Sequence, residues 1–112
     1  MDINKVTLIG RLTAKPEQRQ ASSGQASAQF SVATNYIWKD YKIKQRKDDT
    51  QFHNVVASGK LAEIVLQYLD KAARVYIEGR LHHHEWMDEN DVKRTGTDII
   101  ADEIIMLGHR SK

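Results

Sequence analysis

Residues 60–69 (KLAEIVLQYL) decide the fold, because this is the stretch of the chain with a clear helical pattern. Apolar side chains recur there at spacings of three and four residues, which places them on one face of an amphipathic helix of about three turns. These side chains are Leu61, Ile64, Val65, Tyr68 and Leu69. Strand patterns lie on both sides of the stretch, so the position of this helix restricts the possible folds strongly.

Residues 5–12 and 28–36 alternate between apolar and polar side chains, which is typical of β-strands, and five segments around the helix are predicted to be strands. They are residues 5–12, 28–36 and 52–57 before the helix, and residues 74–86 and 97–101 after it. Two polar, charged stretches, residues 39–49 and 87–96, are predicted to be long loops. Gly10 lies inside the first strand and predicts a bulge or a sharp coil there.

The resulting order, β-β-β-α-β-β, predicts an all-β protein with one helix, and specifically an OB-fold, the five-stranded Greek-key barrel. The apolar stripe of the helix is expected to close one end of the barrel, and both Phe30 and Tyr68 are expected in the core. We assign residues 1–108 to this domain and residues 109–112 to a short C-terminal stub. OB-folds often bind oligonucleotides or oligosaccharides, but a fold does not by itself establish a function.

The charge of the chain is small overall and uneven along the sequence. Its 112 residues carry 17 Lys and Arg against 15 Asp and Glu, a formal net charge of +2. Residues 1–60 hold 10 basic and 5 acidic residues, whereas residues 61–112 hold 7 and 10. This asymmetry predicts a local contact with an anion rather than a uniformly cationic surface.

Several classes of protein are disfavoured by what the sequence lacks. The chain has no Cys, which excludes disulfides, a Cys nucleophile and a thiolate zinc site. No apolar run approaches the roughly 18 residues that cross a bilayer, and the first residues lack the layout of a signal peptide, so we expect a cytoplasmic protein. Gly-rich phosphate loops, nucleophile elbows and paired His on a helix are missing, so we expect neither enzymatic activity nor a cofactor.

Three aromatic residues flank the predicted loops, where burial in a barrel core is least expected. Trp38 precedes the first loop, Phe52 follows it, and Trp86 precedes the second. Cations attract phosphates and flat rings stack on any base, so rings beside a basic loop favour single-stranded nucleic acid, although a merely solvated loop beside buried rings is the alternative. The cations of the first loop are Lys39, Lys42, Lys44, Arg46 and Lys47.

The run His82-His83-His84 raises a separate hypothesis. On a strand, His82 and His84 point to the same side and could share a metal ion with a third ligand such as His53. We favour exposed imidazoles on a strand that faces the ligand, and we predict no metal site.

The chain also resembles the bacterial single-stranded DNA-binding proteins across residues 3–108. The similar segments are NKV (4–6), LIGRL (8–12), FSVATN (30–35), WKD (38–40), HNVV (53–56), GKLAE (59–63), VYIEGRL (75–81), IAD (100–102) and MLG (106–108). The resemblance implies an OB-fold homotetramer that binds and protects single-stranded DNA without sequence preference. It further implies a role in replication, recombination and repair, and a location at the nucleoid.

Roles for individual residues are implied as well. Trp38, Phe52 and Trp86 fall on base-stacking positions of the family, where Phe52 replaces the commoner Trp. His53 matches a position near subunit contacts, so we expect it to contribute to oligomer formation. The predicted contacts to the DNA backbone are Lys5, Arg11, Lys39, Lys42, Lys44, Arg46, Lys60, Lys71 and Arg80.

The chain departs from the family pattern at several positions. Ser58 stands where many members have another stacking Phe, and Asn54 replaces a frequent Arg. His82 and His84 lie in a stretch usually rich in Arg and Lys. Together these changes predict weaker or more pH-sensitive binding of DNA.

The residues after the last predicted strand bear on the partners of the chain. The family's flexible tail with its acidic tip, which recruits replication and repair proteins, has no counterpart in the sequence, so we do not expect partners recruited by a tail. Two other functions stay open: an OB-fold adaptor that binds replication proteins, and a metal-dependent activity through His82 and His84.

Overall fold

The structure is a computed structural model and describes residues 1–20 and 24–109; residues 110–112 of the predicted stub lie outside the described residues. The elements are β1 (Val6–Leu12), β2 (Glu17–Gln20), β3 (Ala26–Asp40), β4 (Gln45–Ser58), α1 (Gly59–Tyr68), β5 (Ala73–Met87) and β6 (Lys93–His109). The protein is therefore mostly β, and its helix lies between the strand predicted third and the strand predicted fourth. Within the part of the chain that the structure describes, no helix is long and apolar enough to cross a membrane.

The strands form one sheet in the order β1-β5-β6-β4-β3-β2, and β1 pairs in addition with β3. That extra pairing closes five strands into a barrel, while the short β2 is added at the edge of β3. A closed five-stranded barrel with a helix at this place is an OB-fold, so the predicted fold class is confirmed. The sequence did not predict β2, because Glu17–Gln20 is polar throughout and has no apolar alternation.

Gly10 allows the barrel to close, and of the two alternatives predicted here, a bulge or a sharp coil, the β1–β5 register shows no bulge. Near Gly10, β1 is paired with both β5 and β3. A side chain on Gly10 would collide with the carbonyl oxygen of Ala33, so the missing Cβ permits the close approach of the two backbones. The irregularities lie instead in the β5–β6 ladder, one of them between Glu78 and Gly79.

The inward-facing residues of the strands form one apolar core. Val32, Val55 and Ile77, from three different strands, have no exposed surface. Phe30 is buried with them, as predicted. The alternation in the strand sequences therefore predicted the core face correctly.

The helix rests on this core with part of the predicted face: Leu61, Val65 and Leu69 pack there as predicted, but Ile64 and Tyr68 do not. Its buried contacts are Ala62, Val65 and Leu69, whereas Ile64 and Tyr68 are 42% and 58% exposed. The prediction that Tyr68 lies in the core is wrong. Ala62 has a small side chain that lets the helix approach the sheet closely, and the apolar spacing considered in the sequence did not include it.

Strand residues make up half or more of each predicted loop, so both loop predictions are wrong in extent. β3 and β4 stay paired up to a turn at residues 41–44, and β5 and β6 up to a turn at residues 88–92. Charged side chains dominate both hairpins because they extend beyond the apolar core, so the alternation on which strand prediction depends is lost there. The backbone pairing nevertheless continues.

Candidate nucleic-acid interface

The β3–β4 hairpin carries five cations at and beside its turn. Lys39 lies directly opposite Arg46, Lys42 and Lys44 lie in the turn, and Lys47 follows Arg46. Directly opposed side chains have Cβ atoms about 4.5–5.5 Å apart, so Lys39 and Arg46 repel each other. Among residues 1–20 and 24–109, none of the five cations takes part in an ion pair. The tip of this hairpin therefore keeps its positive charge available for an anionic ligand.

Local contacts shape the turn that presents these cations. The Lys42 N–H donates to Asp40 Oδ1 at 3.0 Å, and Lys44 adopts the left-handed backbone conformation with φ of 53°. Lys39 Nζ lies 5.6 Å from the centroid of the Tyr41 ring, a cation–π arrangement. Asp40, an acid among these cations, thus stabilises the turn through this hydrogen bond.

Trp38 lies just before this turn with 40% of its surface exposed. Its ring stacks on Tyr36, with the ring centroids 5.6 Å apart and the planes inclined by 29°. Because Tyr36 covers one side of the indole, the other side is the one available to a further flat partner. A shallow groove of about 470 Å³ adjoins the ring and is lined by Ile37, Trp38, Lys39, Lys44 and Arg46.

Phe52 is 66% exposed, but the structure does not place it beside Trp38. Successive side chains of a strand point to opposite faces. Trp38 is therefore on the face of β3 that includes the core residue Val32, whereas Phe52 is paired with Ala33 on the other face. A nucleic-acid strand that touches both rings must pass around an edge of the hairpin.

Trp86 is on the other long hairpin and is 46% exposed. Its ring stacks on His84 at 5.1 Å with an angle of 23° between the planes, and His84 Nε2 lies 3.2 Å from Asp98 Oδ2. Gly96 is paired opposite His84, and a Cβ at this glycine would press against both rings. The Asp98 carboxylate thus contacts His84 of this ring pair, and the missing side chain of Gly96 leaves room for both rings.

Tyr36 and His84 are candidate functional residues that the sequence reasoning missed. Each precedes a predicted stacking Trp by two residues on the same strand, so the two side chains share a face. An aromatic or imidazole ring two residues before each Trp was the signal in the sequence that could have identified them. His84 was considered only as an exposed imidazole or a metal ligand.

Two of the residues predicted to contact the DNA backbone already form ion pairs with acidic residues. Lys5 Nζ lies 3.3 Å from Glu78 Oε2, and Arg80 lies 3.3 Å from Asp102 Oδ1. The hydrogen bond from Lys5, followed by that from the Tyr76 hydroxyl, holds the pKa of Glu78 below its ordinary value. A phosphate at either cation has to compete with a carboxylate.

Three further residues predicted to contact the DNA backbone lie away from the turns of both hairpins. Lys60 is exposed in the first turn of α1, and Lys71 is exposed in the loop after the helix. The Ala72 N–H donates to the Leu12 carbonyl at 2.9 Å, which fixes this loop beside the end of β1. Arg11 is half-buried at that same end of β1.

The turn of the β5–β6 hairpin is organised by Asp88. Its Oδ1 accepts hydrogen bonds from the N–H groups of Asn90 and Val92, both at 2.9 Å, and its Oδ2 accepts from Arg94 Nε at 2.9 Å. The bond from Val92, then the one from Arg94, hold the pKa of Asp88 below its ordinary value. Lys93 and Glu85 form a second ion pair at 3.1 Å.

Two further histidines, His53 and His83, have hydrogen-bond partners of their own. His53 is half-buried, and a hydrogen bond of 2.9 Å joins its Nε2 to Thr34 Oγ1. His83 Nδ1 lies 2.8 Å from Thr97 Oγ1. Across residues 1–20 and 24–109, no group of three His, Asp or Glu side chains is arranged to hold a metal ion.

Comparison with known proteins shows the family. The model of the single-strand binding protein family matches residues 3–107. The chain belongs to the single-strand binding protein family. Over all 112 residues it is 45% identical to the single-stranded DNA-binding proteins of Neisseria meningitidis serogroup A strain Z2491 and serogroup B strain MC58. The chain spans 64% of the length of these relatives.

A solved structure is similar as well. It is described as a Plasmodium falciparum SSB complex with ssDNA. Its TM-score with this chain is 0.87 at 32% sequence identity, and the match covers 96% of this chain and 97% of that one. The similarity therefore extends over nearly the whole chain.

Proposed function

We propose that the chain binds single-stranded DNA without sequence preference, stacking bases on Trp38, Phe52 and Trp86. The observation that carries the proposal is the β3–β4 hairpin, where five cations without ion pairs in the described chain lie at and beside the turn, and three of them, Lys39, Lys44 and Arg46, line a groove beside the Trp38 indole. Membership of the family supports the same class of ligand. Every base has a flat π face, so stacking of this kind tolerates any sequence.

The phosphate contacts in this proposal differ in strength. Cations outside ion pairs attract phosphates fully, so the hairpin residues and Lys60, Lys71 and Arg11 supply most of the electrostatic attraction. Lys5 and Arg80 supply less, because Glu78 and Asp102 already pair with them. Salt is expected to weaken binding, with log affinity falling against log salt at a slope of about −0.7 for each phosphate neutralised.

The proposal includes assembly into a homotetramer. One OB-fold offers a track of roughly 4–16 nucleotides, so several copies are needed for a long continuous one. An apolar row supports self-association: Ile9, Tyr76 and Ile105 are aligned across β1, β5 and β6, and both isoleucines are nearly half exposed. His53 is assigned a supporting role at a subunit contact. Light scattering is expected to give a particle of four chains.

The cellular role proposed is to protect single-stranded DNA during replication, recombination and repair, at the nucleoid in the cytoplasm. Bound strands lose their own secondary structure because the base faces are occupied by protein rings. Neither a catalytic step nor a cofactor belongs to this role.

Fluorescence tests the proposal directly, since the chain has two tryptophans and both are assigned to stacking. Trp38→Phe and Trp86→Phe each leave one indole as the reporter. Adding poly-thymidine at low salt is expected to quench both single-Trp variants, because each remaining indole stacks on a base. The saturation point gives the number of nucleotides bound per chain.

Duplex DNA of equal length is the control, since its bases are already stacked on each other and should quench little. Absence of quenching by poly-thymidine in both variants at low salt would overturn the proposal. Loss of the four-chain particle in either variant would show instead that the rings serve assembly.

A further inference from the structure

A row of outward-facing residues crosses four strands and ends at Phe52. The register pairs Arg74 of β5 with Arg11 of β1, Arg11 with Ala33 of β3, and Ala33 with Phe52 of β4. Residues paired across an antiparallel ladder point to the same face. Two guanidinium groups and one phenyl ring therefore share one surface of the barrel.

Arg11 and Arg74 are like charges placed directly opposite each other, an arrangement that destabilises a sheet. Neither guanidinium takes part in an ion pair within residues 1–20 and 24–109. Glu78 lies further along the same face of β5, but its carboxylate is occupied by Lys5 and by the Tyr76 hydroxyl. The two arginines thus form a cationic pair that the fold itself leaves uncompensated.

A groove of about 290 Å³ lies beside this pair, and its lining includes Arg11, Ala33, Asn35 and Arg74. The Asn35 side-chain oxygen accepts a hydrogen bond from the Thr50 hydroxyl, which leaves its NH₂ group as a further donor. Guanidinium groups match the geometry of phosphate oxygens and bind them through paired N–H donors. The chemistry of the groove therefore fits a phosphate.

We propose that Arg11 and Arg74 form a phosphate clamp for the backbone of a strand whose base stacks on Phe52. The clamp rests on the proposed function and adds Arg74, a residue without a role in the sequence analysis. Neighbouring strands lie about 4.8 Å apart, so Arg11 starts roughly 10 Å from Phe52, a distance that its long side chain and one nucleotide can bridge. A DNA strand bound by the clamp runs from the β3–β4 hairpin toward β1 and β5.

Salt titration of Arg74→Gln tests the clamp, with oligo-thymidine as the ligand. Removal of one phosphate contact is expected to reduce the slope of log affinity against log salt by about 0.7, and to weaken binding about 8-fold near 50 mM salt. Arg11→Gln together with Arg74→Gln is expected to reduce the slope by about 1.4. Arg74→Lys keeps the charge and is expected to keep the wild-type slope. Arg74→Met, which is neutral and keeps the aliphatic stem, is expected to reduce the slope by about 0.7 and provides the test if Arg74→Gln does not fold.

Arg19→Gln is the matched control, because the Arg19 guanidinium pairs with Glu17 at 3.1 Å and its loss should leave the slope unchanged. If Arg74→Gln binds with the wild-type slope while DNA still quenches the tryptophans, the clamp is wrong and the proposed function stands. An unchanged slope with an altered light-scattering mass assigns Arg74 to a subunit contact and also overturns the clamp. If the wild-type chain shows no binding, both proposals fail.

Discussion

The two long hairpins are both rich in charge, but they use their charges in different ways. On the β5–β6 hairpin, Arg94 pairs with Asp88 and Lys93 with Glu85. On the β3–β4 hairpin, Lys39 faces Arg46, and neither enters an ion pair in the described part of the chain. Paired charges stabilise a hairpin modestly and attract a charged ligand weakly. Unpaired like charges destabilise the hairpin and attract a ligand of opposite charge strongly. The pairing pattern, rather than the net charge of +2, therefore locates the surface suited to an anion.

The same comparison applies to the rings. Trp38 and Trp86 each stack on the ring two residues earlier, but the supporting rings are held differently. Tyr36 is 69% exposed, whereas His84 is half-buried and lies 3.2 Å from Asp98. The β5–β6 platform is thus fixed before a ligand arrives, and the β3–β4 platform can adjust to one.

The largest effect is expected when the unpaired charges are removed. In the double variant Lys39→Gln with Arg46→Gln, the loss of two phosphate contacts should reduce the salt slope by about 1.4 and weaken oligo-thymidine binding about 60-fold near 50 mM salt. The repulsion between the two side chains also disappears, so the stability of the protein should not fall. Fluorescence titrations at a series of salt concentrations measure the slope and the affinity together.

The control for this variant removes the same number of charges from the other hairpin. Lys93→Gln with Arg94→Gln deletes two cations that are already paired, so the salt slope should remain close to that of the wild type. Equal slopes for the two double variants would mean that pairing does not decide which cations bind DNA, and the contrast between the hairpins would be lost.

A smaller effect is expected when a ring is removed. Trp86→Ala should weaken binding about 10-fold, because base–aromatic stacking contributes ~1–3 kcal/mol and His84 already covers one side of the indole. The salt slope should not change, since the ring carries no charge. Titration at two or more salt concentrations separates this loss from the loss of a phosphate contact.

Trp86→Phe is the matched variant, since it keeps a flat ring of smaller area and should retain most of the affinity. If Trp86→Ala binds as tightly as Trp86→Phe, Trp86 is not a stacking platform, whatever its exposure. The comparison with Trp38→Ala then shows whether a fixed platform contributes more than an adjustable one.

The barrel could be predicted from the sequence because its core obeys local patterns. Phe30 and Val32, like Val75 and Ile77, recur at the two-residue spacing of a strand, and the position of the helix selects among the small barrels. The hairpins could not be predicted in full, since Lys39 and Arg46 are paired by backbone hydrogen bonds without any apolar signal. Part of the buried helix face was missed for a related reason: Ala62 contributes by being small, which an apolar pattern does not register.

The site was predicted as a set of residue types, but its geometry depends on the register between distant strands. The sequence placed Trp38 and Phe52 around one loop, whereas pairing of Phe52 with Ala33 puts the two rings on opposite faces. Arg74 was overlooked because its neighbour Arg11 is distant in sequence and meets it only through the β1–β5 ladder. Such neighbours become visible only when the strands are aligned.

The smallest effect is expected from the turn that holds the β5–β6 hairpin together. Asp88→Asn keeps the size of the side chain but removes the charge that Val92, Asn90 and Arg94 bind. The variant should unfold at lower urea concentration than the wild type near neutral pH. Asp91→Asn is the control, since this turn residue has a left-handed φ of 60° that Asn tolerates well.

The difference between wild type and Asp88→Asn should depend on pH in a definite direction. The pKa of Asp88 is lower in the folded protein than in the unfolded chain, mainly through the hydrogen bond from Val92 and then through Arg94. Its contribution to stability is therefore fully present above the unfolded pKa of about 4, and it is lost as the pH falls through the folded pKa. Urea titrations at fixed protein concentration, from about pH 7 down to about pH 3, should show the two curves converging as the carboxylate is protonated. Curves that stay equally far apart at low pH would mean that the charge of Asp88 does not hold the turn, and the view of this hairpin as internally neutralised would have to be abandoned.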